Sequence, residues 1–158
     1  MMMSKGAVKT ANNGKMDWTA VYPGLFDYPV KKKHKAVLKA SRCSRCGETF
    51  FPARSYCRYC LDESQITNIT LASRGLIHVS TIVYVDAPSG IKAPYAIGYV
   101  DIPENGVRIF ALFDSCEREL LAPGREVELL IGPISMDTDG KKIIGYKFAP
   151  VQRKGFCI

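Results

Sequence analysis

Four of the six cysteines in this 158-residue chain fall within eighteen residues, in the stretch "CSRCGETFFPARSYCRYC". They form two pairs with the same internal spacing, Cys43-x-x-Cys46 and Cys57-x-x-Cys60. A Cys-x-x-Cys turn brings two sulfurs to one point and lets backbone N–H groups donate to the thiolates. Two such turns supply the four soft ligands that a tetrahedral zinc ion prefers. Gly47 follows the first pair, where the backbone bends under a sulfur and φ > 0 is needed. The gap "GETFFPARSY" is long enough for a hairpin that carries the second turn back to the first, although it is shorter than the spacer of the commonest two-pair pattern. Disulfides are the competing reading of paired cysteines, and iron is the competing metal for four thiolates. With four protein ligands the site is closed, so the expected ion, one Zn²⁺, is structural rather than catalytic.

Other groups capable of chemistry are sparse. Catalysis needs a nucleophile–base pair, a carboxylate pair or an open metal site. His34 sits in a lysine run, and His78 reads as a satisfied strand residue. Cys116 reads as a packed thiol and Cys157 lies next to the C-terminus. There is no Gly-rich phosphate loop, and no independent catalytic set is expected.

The elements that must position the cysteines are mainly β. Ala36, Leu38 and Ala40 alternate into the cluster as a strand. After Cys60 come short strands separated by turn signals, the texture of a small barrel. These are "QITNITL" from Gln65, "GLIHVSTIVYVD" from Gly75, "PYAIGYVDI" from Pro94, "VRIFALFD" from Val107, "REVELLIGPI" from Arg125 and "KKIIGYKFAPV" from Lys141. The long strand from Gly75 is read with Ile77, Val79, Thr81, Val83 and Val85 on one face throughout. Glu104-Asn105-Gly106 marks a hairpin, and Cys116 to Leu121 is the one helical candidate, stopped by Pro123-Gly124. The expected architecture is an N-terminal arm (residues 1–35), a rubredoxin-like zinc ribbon (36–64) and a C-terminal OB-fold barrel (65–158).

Hydrophobic residues make up 47% of the chain and charged residues 23%, a globular balance. No apolar run approaches the roughly 20 residues of a membrane span, and the N-terminus lacks the apolar core of a secretory leader. A cytoplasmic, reducing compartment is expected, which favours metal over disulfide. The net charge of +7 is uneven: residues 1–60 carry twelve Lys/Arg against three Asp/Glu, and residues 61–158 carry ten against twelve. Single-stranded nucleic acid is therefore a candidate ligand of the basic ribbon. Tyr84, Tyr95, Tyr99, Phe110 and Tyr146 are available for stacking, but the barrel that carries them is slightly acidic. The aromatic segment with Trp18, Tyr22, Phe26 and Tyr28, broken by Pro23, Gly24 and Pro29, covers either the chain's own core or a partner's surface.

One further signal lies in the order of motifs. Cys43, Cys46 and Gly47, then Pro52-Ala53-Arg54, Cys57, Cys60, the Gly-led strand "RGLIHVSTIVY" and the Pro94-Tyr95 strand start resemble the small zinc-ribbon/OB-fold proteins associated with thiolases and other acyl-CoA enzymes. The resemblance covers about residues 36–150; Ala53 stands where many members have a second proline. It implies a non-catalytic accessory subunit in a hetero-oligomer with a thiolase-fold catalytic subunit, the benzoylsuccinyl-CoA thiolase being one such assembly. It also implies that the chain helps to bind CoA or acyl-CoA while the catalytic residues sit on the partner. CoA carries several phosphate charges, which a basic surface attracts. Arg54 and Arg58, held by the metal hairpin, and Arg74 at the barrel entrance are the expected CoA contacts, with Lys31 to Lys35 adding a diffuse field. Trp18, Tyr22, Phe26 and Tyr28 are the expected partner contacts, on the ground that a front half of this size cannot bury them.

Overall fold

The computed structural model describes residues 17–28 and 35–152. Nine strands make up almost all of their regular structure: β1 (Trp18–Ala20), β2 (Lys39–Cys43), β3 (Thr49–Phe50), β4 (Ile66–Thr70), β5 (Arg74–Val83), β6 (Tyr95–Ile102), β7 (Val107–Phe113), β8 (Glu126–Met136) and β9 (Lys142–Pro150). β5 to β9 form a closed five-strand barrel, because β8, at one end of the order β9-β7-β6-β5-β8, pairs again with β9. Closure leaves no free edge. β1 adds to β9 in parallel, and β3-β2-β4 is a separate three-stranded sheet. Among the described residues no helix is long and apolar enough to cross a membrane.

Alternation in the sequence produces the barrel's inner face. Ala96, Val100 and Ile102 on β6, Ile109, Ala111 and Phe113 on β7, and Val127 and Leu129 on β8 point inward and are buried with Ile144 and Phe148 of β9. Full burial of the larger of these, the Val, Leu, Ile and Phe side chains, contributes roughly 1.5–3 kcal/mol each. Gly98 belongs to the same inner row, and a Cβ there would lie 2.0 Å from the Val79 carbonyl oxygen, so only glycine permits this approach of β5 to β6. The turn after β6 holds as expected, with Gly106 at φ +64°. Asn105 also accepts the Ala72 N–H at 2.7 Å, which ties the hairpin to the entrance of the barrel.

Four expectations change. The face reading of β5 holds only to Ile77: a bulge between Ile77 and Val79 inserts His78 and reverses the phase, so Val79 and Thr81 face outward while Ser80 and Ile82 turn in. An extra residue does this because strand side chains alternate with period two. β4 pairs with β2 over Lys39↔Thr70 to Cys43↔Ile66, so the ribbon's sheet runs beyond residue 64 to Thr70. The helical candidate is a single 3₁₀ turn, Arg118–Leu121; the space before Pro123-Gly124 is too short for more, and only Leu121 of the turn is buried.

The fourth change concerns the aromatic segment. Leu25 and Phe26 are buried in the barrel's core cluster, and Trp18 and Tyr28 pack against that cluster with their rings edge-on at 5.0 Å. The premise that these side chains lack a surface of their own therefore fails for Trp18, Phe26 and Tyr28. Apolar rings beside the core cluster gain more by covering it than by remaining in water. Tyr22, 58% exposed, is the one of the four left on the surface.

Candidate metal centre

β2 ends in Cys43, and the chain then closes a tight turn: Gly47 N–H donates to the Cys43 carbonyl at 2.8 Å, and Cys43 N–H donates to the Glu48 carbonyl at 2.9 Å. Gly47 has φ +77°, as the sequence predicts. The second turn repeats the pattern. Leu61 N–H donates to the Cys57 carbonyl at 2.7 Å and Cys57 N–H to the Asp62 carbonyl at 3.1 Å. Here the residue in the glycine's place is Leu61, at φ +53° and 80% exposed. The left-handed conformation costs a non-glycine residue roughly 1–2 kcal/mol. The signal was legible: Leu61 stands after Cys60 as Gly47 stands after Cys46.

The two turns face each other and bring the sulfurs of Cys43, Cys46, Cys57 and Cys60 within 4.8 Å of one another. The Cys46 and Cys57 sulfurs are 3.6 Å apart, far beyond a disulfide bond. Four thiolates about 2.3 Å from a central zinc ion would sit about 3.8 Å apart, so the donor set fits the ion. Cys43 and Cys57 are buried, Cys60 half-buried and Cys46 exposed. Burial works to raise the Cys57 thiol, but the amides of Cys60 and Tyr59 aimed at its sulfur, with the Cys46 and Cys43 thiols, bring it down to about 7. Burial and the neighbouring thiols push Cys60 up to about 12. All four must be thiolates when a metal is held, and a bound zinc ion supplies folding free energy rather than an open coordination site.

Around the sulfurs the tip has little apolar packing of its own. Its cluster is Cys43, Phe50 and Cys57, with Cys60 and Ile66 against it. The Tyr59 ring stacks on Phe50, and the Arg58 guanidinium lies 4.7 Å over the Tyr59 ring and donates to its hydroxyl at 2.5 Å. Arg54 is placed through its backbone, whose N–H donates at 2.8 Å to the hydroxyl of buried Ser41 on β2. Both arginines therefore sit on the metal-bearing tip with their side chains at the surface, and among the described residues neither has a carboxylate partner. Arg74 is different. It lies on β5 and is paired with Glu126 at 3.2 Å and Glu128 at 3.9 Å across the β5–β8 seam, so its charge is already matched. Of the lysine run only Lys35 lies within the described residues; Lys31 to Lys33, His34 and Cys157 fall outside them.

Residues 37–64 match the family described as ChsH2, rubredoxin-like zinc ribbon domain, and the four-thiolate set is accordingly that of one structural zinc. Over 142 residues the chain is 34% identical to the benzoylsuccinyl-CoA thiolase subunit BbsA of Thauera aromatica, covering 87% of this chain and 92% of that protein. The subunit of the same name from Geobacter metallireducens is 34% identical over 135 residues, 85% of this chain and 88% of that one. A DUF35 domain-containing scaffold protein of Methanocaldococcus jannaschii is 32% identical over 123 residues, covering 76% of this chain and 86% of the relative. Among solved structures the chain resembles one described as Ltp2-ChsH2(DUF35) aldolase, with a TM-score of 0.57 and 18% identity over 72% of this chain and 84% of that chain. At that identity the likeness speaks for the fold alone.

Proposed function

The chain belongs to the family of the benzoylsuccinyl-CoA thiolase subunit BbsA and the DUF35 domain-containing scaffold proteins, and from that premise we propose that it is a zinc-stabilised accessory subunit of a thiolase-type acyl-CoA enzyme. The observation that carries this reading is the near full-length match to two relatives named as thiolase subunits, 92% and 88% of their lengths. Its role in the complex is to hold CoA, while bond making and breaking belong to the thiolase-fold partner. The ribbon tip is suited to that role. The Ser41 contact fixes the Arg54 backbone and the Tyr59 ring lies under the Arg58 guanidinium, and among the described residues neither arginine has a carboxylate within ion-pair distance. A side chain carried on a fixed hairpin loses less entropy on binding a phosphate than one on a loose arm. Arg74, matched to two glutamates, is left out of the CoA site. Benzoylsuccinyl-CoA, the substrate in the names of two relatives, is the acyl-CoA to try first.

Native co-purification with mass spectrometry tests the reading, followed by kinetics of the recovered complex. A thiolase-fold chain is expected in stoichiometric amount. Arg54→Ala/Arg58→Ala is expected to raise KM for the acyl-CoA about tenfold, the loss of one or two charge-assisted contacts, with kcat and zinc content unchanged. Recovery without any thiolase-fold chain, together with salt-dependent binding of oligonucleotides, would favour a nucleic-acid role.

A further inference from the structure

The outer face of an antiparallel sheet that packs on one side is ordinarily polar. On β5, β6 and β7 it is not. Val79 lies opposite Tyr99, and Tyr99 opposite Phe110, so the three form one row across three adjacent strands. They are 47%, 44% and 49% exposed, and the Tyr99 and Phe110 rings meet edge-on at 5.5 Å. The next outward row is Thr81, Ile97 and Leu112. Val79 is in this surface because of the bulge at His78; with unbroken pairing it would point into the barrel.

At one edge the surface drops into a cleft of about 330 Å³ walled by Tyr95, Ile97, Phe110, Leu112, Ile134 and Tyr146. The walls are fixed by bonds within the chain. Asp86 accepts the Ala93 N–H at 2.9 Å and Lys92 Nζ at 2.7 Å, which closes the loop between β5 and β6 beside the cleft. The Tyr146 hydroxyl donates to the Phe110 carbonyl at 2.8 Å. Ile134 is the extra residue of a second bulge, in β8 between Pro133 and Ser135.

Charge decides what kind of molecule fits. Aromatic side chains on the strands of an OB barrel suit stacked bases only when unmatched positive charge accompanies them. Here three basic side chains flanking the rows have a carboxylate: Arg108 has Asp101 at 2.6 Å, Lys92 has Asp86 at 2.7 Å, and Lys147 has Asp114, while Arg118, beside Thr81, pairs with none among the described residues. His78 Nδ1 also lies 3.4 Å from Asp101. An apolar centre inside a rim of mostly paired charges is the anatomy of a protein–protein interface, and a preformed cleft takes an anchoring side chain of the partner.

We propose that the outer face of β5–β6–β7 docks the catalytic partner subunit, one bulky apolar side chain of which seats in the cleft beside Phe110. The inference rests on the reading of the chain as a thiolase accessory subunit and assigns the face it uses. The test is hydroxyl-radical footprinting of the wild-type chain, alone and in its complex, together with assembly of a Tyr99→Asp/Phe110→Asp variant. Both side chains are half-exposed, and the Tyr146 bond is to the Phe110 backbone, so zinc content should not change and the unfolding temperature should fall only modestly, from the lost ring pair and the two carboxylates placed opposite each other. Both rings should label in the free chain and be protected in the complex, and the variant should assemble about 30-fold or more weakly, as expected for central interface anchors. A complex of undiminished affinity overturns the proposal and leaves the accessory-subunit reading standing. If the wild-type chain holds no thiolase-fold subunit, that reading falls and the proposal falls with it. Protection already present in the dilute free chain assigns the face to the chain's own terminal residues, protection growing with concentration assigns it to a second copy, and protection by oligothymidylate assigns it to nucleic acid. Each of these overturns the proposal.

Discussion

The barrel and the metal-bearing tip of the ribbon are both made of short antiparallel strands, but different forces hold them. The described residues of the barrel, the segment around Phe26 and the base of the ribbon share one cluster of seventeen buried apolar residues, including Leu38, Ala40 and Leu71. The tip's own cluster has three buried members, and two of them are the metal ligands Cys43 and Cys57. Burial at that scale cannot offset the entropy of ordering two turns and a hairpin. The ribbon is thus rooted in the barrel's core at its base and fixed by metal at its tip. One chain can in this way carry two arginines on a small hairpin whose backbone is fixed.

Perturbing each region in its own way separates the two modes. Phe148→Ala removes a fully buried ring from the barrel and should lower the free energy of unfolding by about 3–5 kcal/mol. Urea unfolding measures it, and molecules that remain folded should keep their zinc. Acid should act on the tip first. Zinc needs thiolates, so protons compete for the ligands, and Cys60, pushed up to about 12, must lose its proton to metal throughout the accessible range. Cys57, brought down to about 7, takes up a proton as the solution passes below neutrality. Apparent zinc affinity should therefore fall at least about tenfold per pH unit from pH 8 to 5, read with a chromophoric chelator, while the barrel's circular dichroism persists. The smallest effect has the opposite sign. Leu61→Gly relieves about 1–2 kcal/mol of left-handed strain against about 0.5–1 kcal/mol of added chain entropy. A modest, several-fold gain in zinc affinity should follow in competition titrations.

What the sequence disclosed, and what it concealed, follows the range of the interactions. The cysteine frame, the positive φ at Gly47 and the turn at Asn105-Gly106 are decided within a few residues, and all were readable. The mainly β fold, with ribbon before barrel, was readable as well, since turn residues punctuate it. The phase of β5 beyond Ile77 was not, because a bulge depends on the strand opposite: Gly98 admits the Val79 carbonyl at a distance no larger residue would allow. β4 has the same composition as a barrel strand, and only pairing with β2 distinguishes it. Phe26 found a place in the barrel core and Arg74 found Glu126 and Glu128, partners roughly fifty residues or more away in sequence that no local pattern announces. For the metal centre the ligands were legible and the supporting contacts were not: buried Ser41 beneath Arg54, and Tyr59 between Arg58 and Phe50.

The division between a metal-held tip and a self-sufficient barrel is most directly tested by amide hydrogen exchange of the full chain before and after zinc removal with a chelator at neutral pH. The account predicts that Cys43, Gly47, Cys57 and Leu61, whose N–H groups close the two turns, lose protection on zinc removal and regain it when zinc is restored. Amides of Val100, Ile109, Val127 and Ile144 in the barrel should keep theirs throughout. Equal loss of protection in both regions, or turns that stay protected without metal, would contradict it.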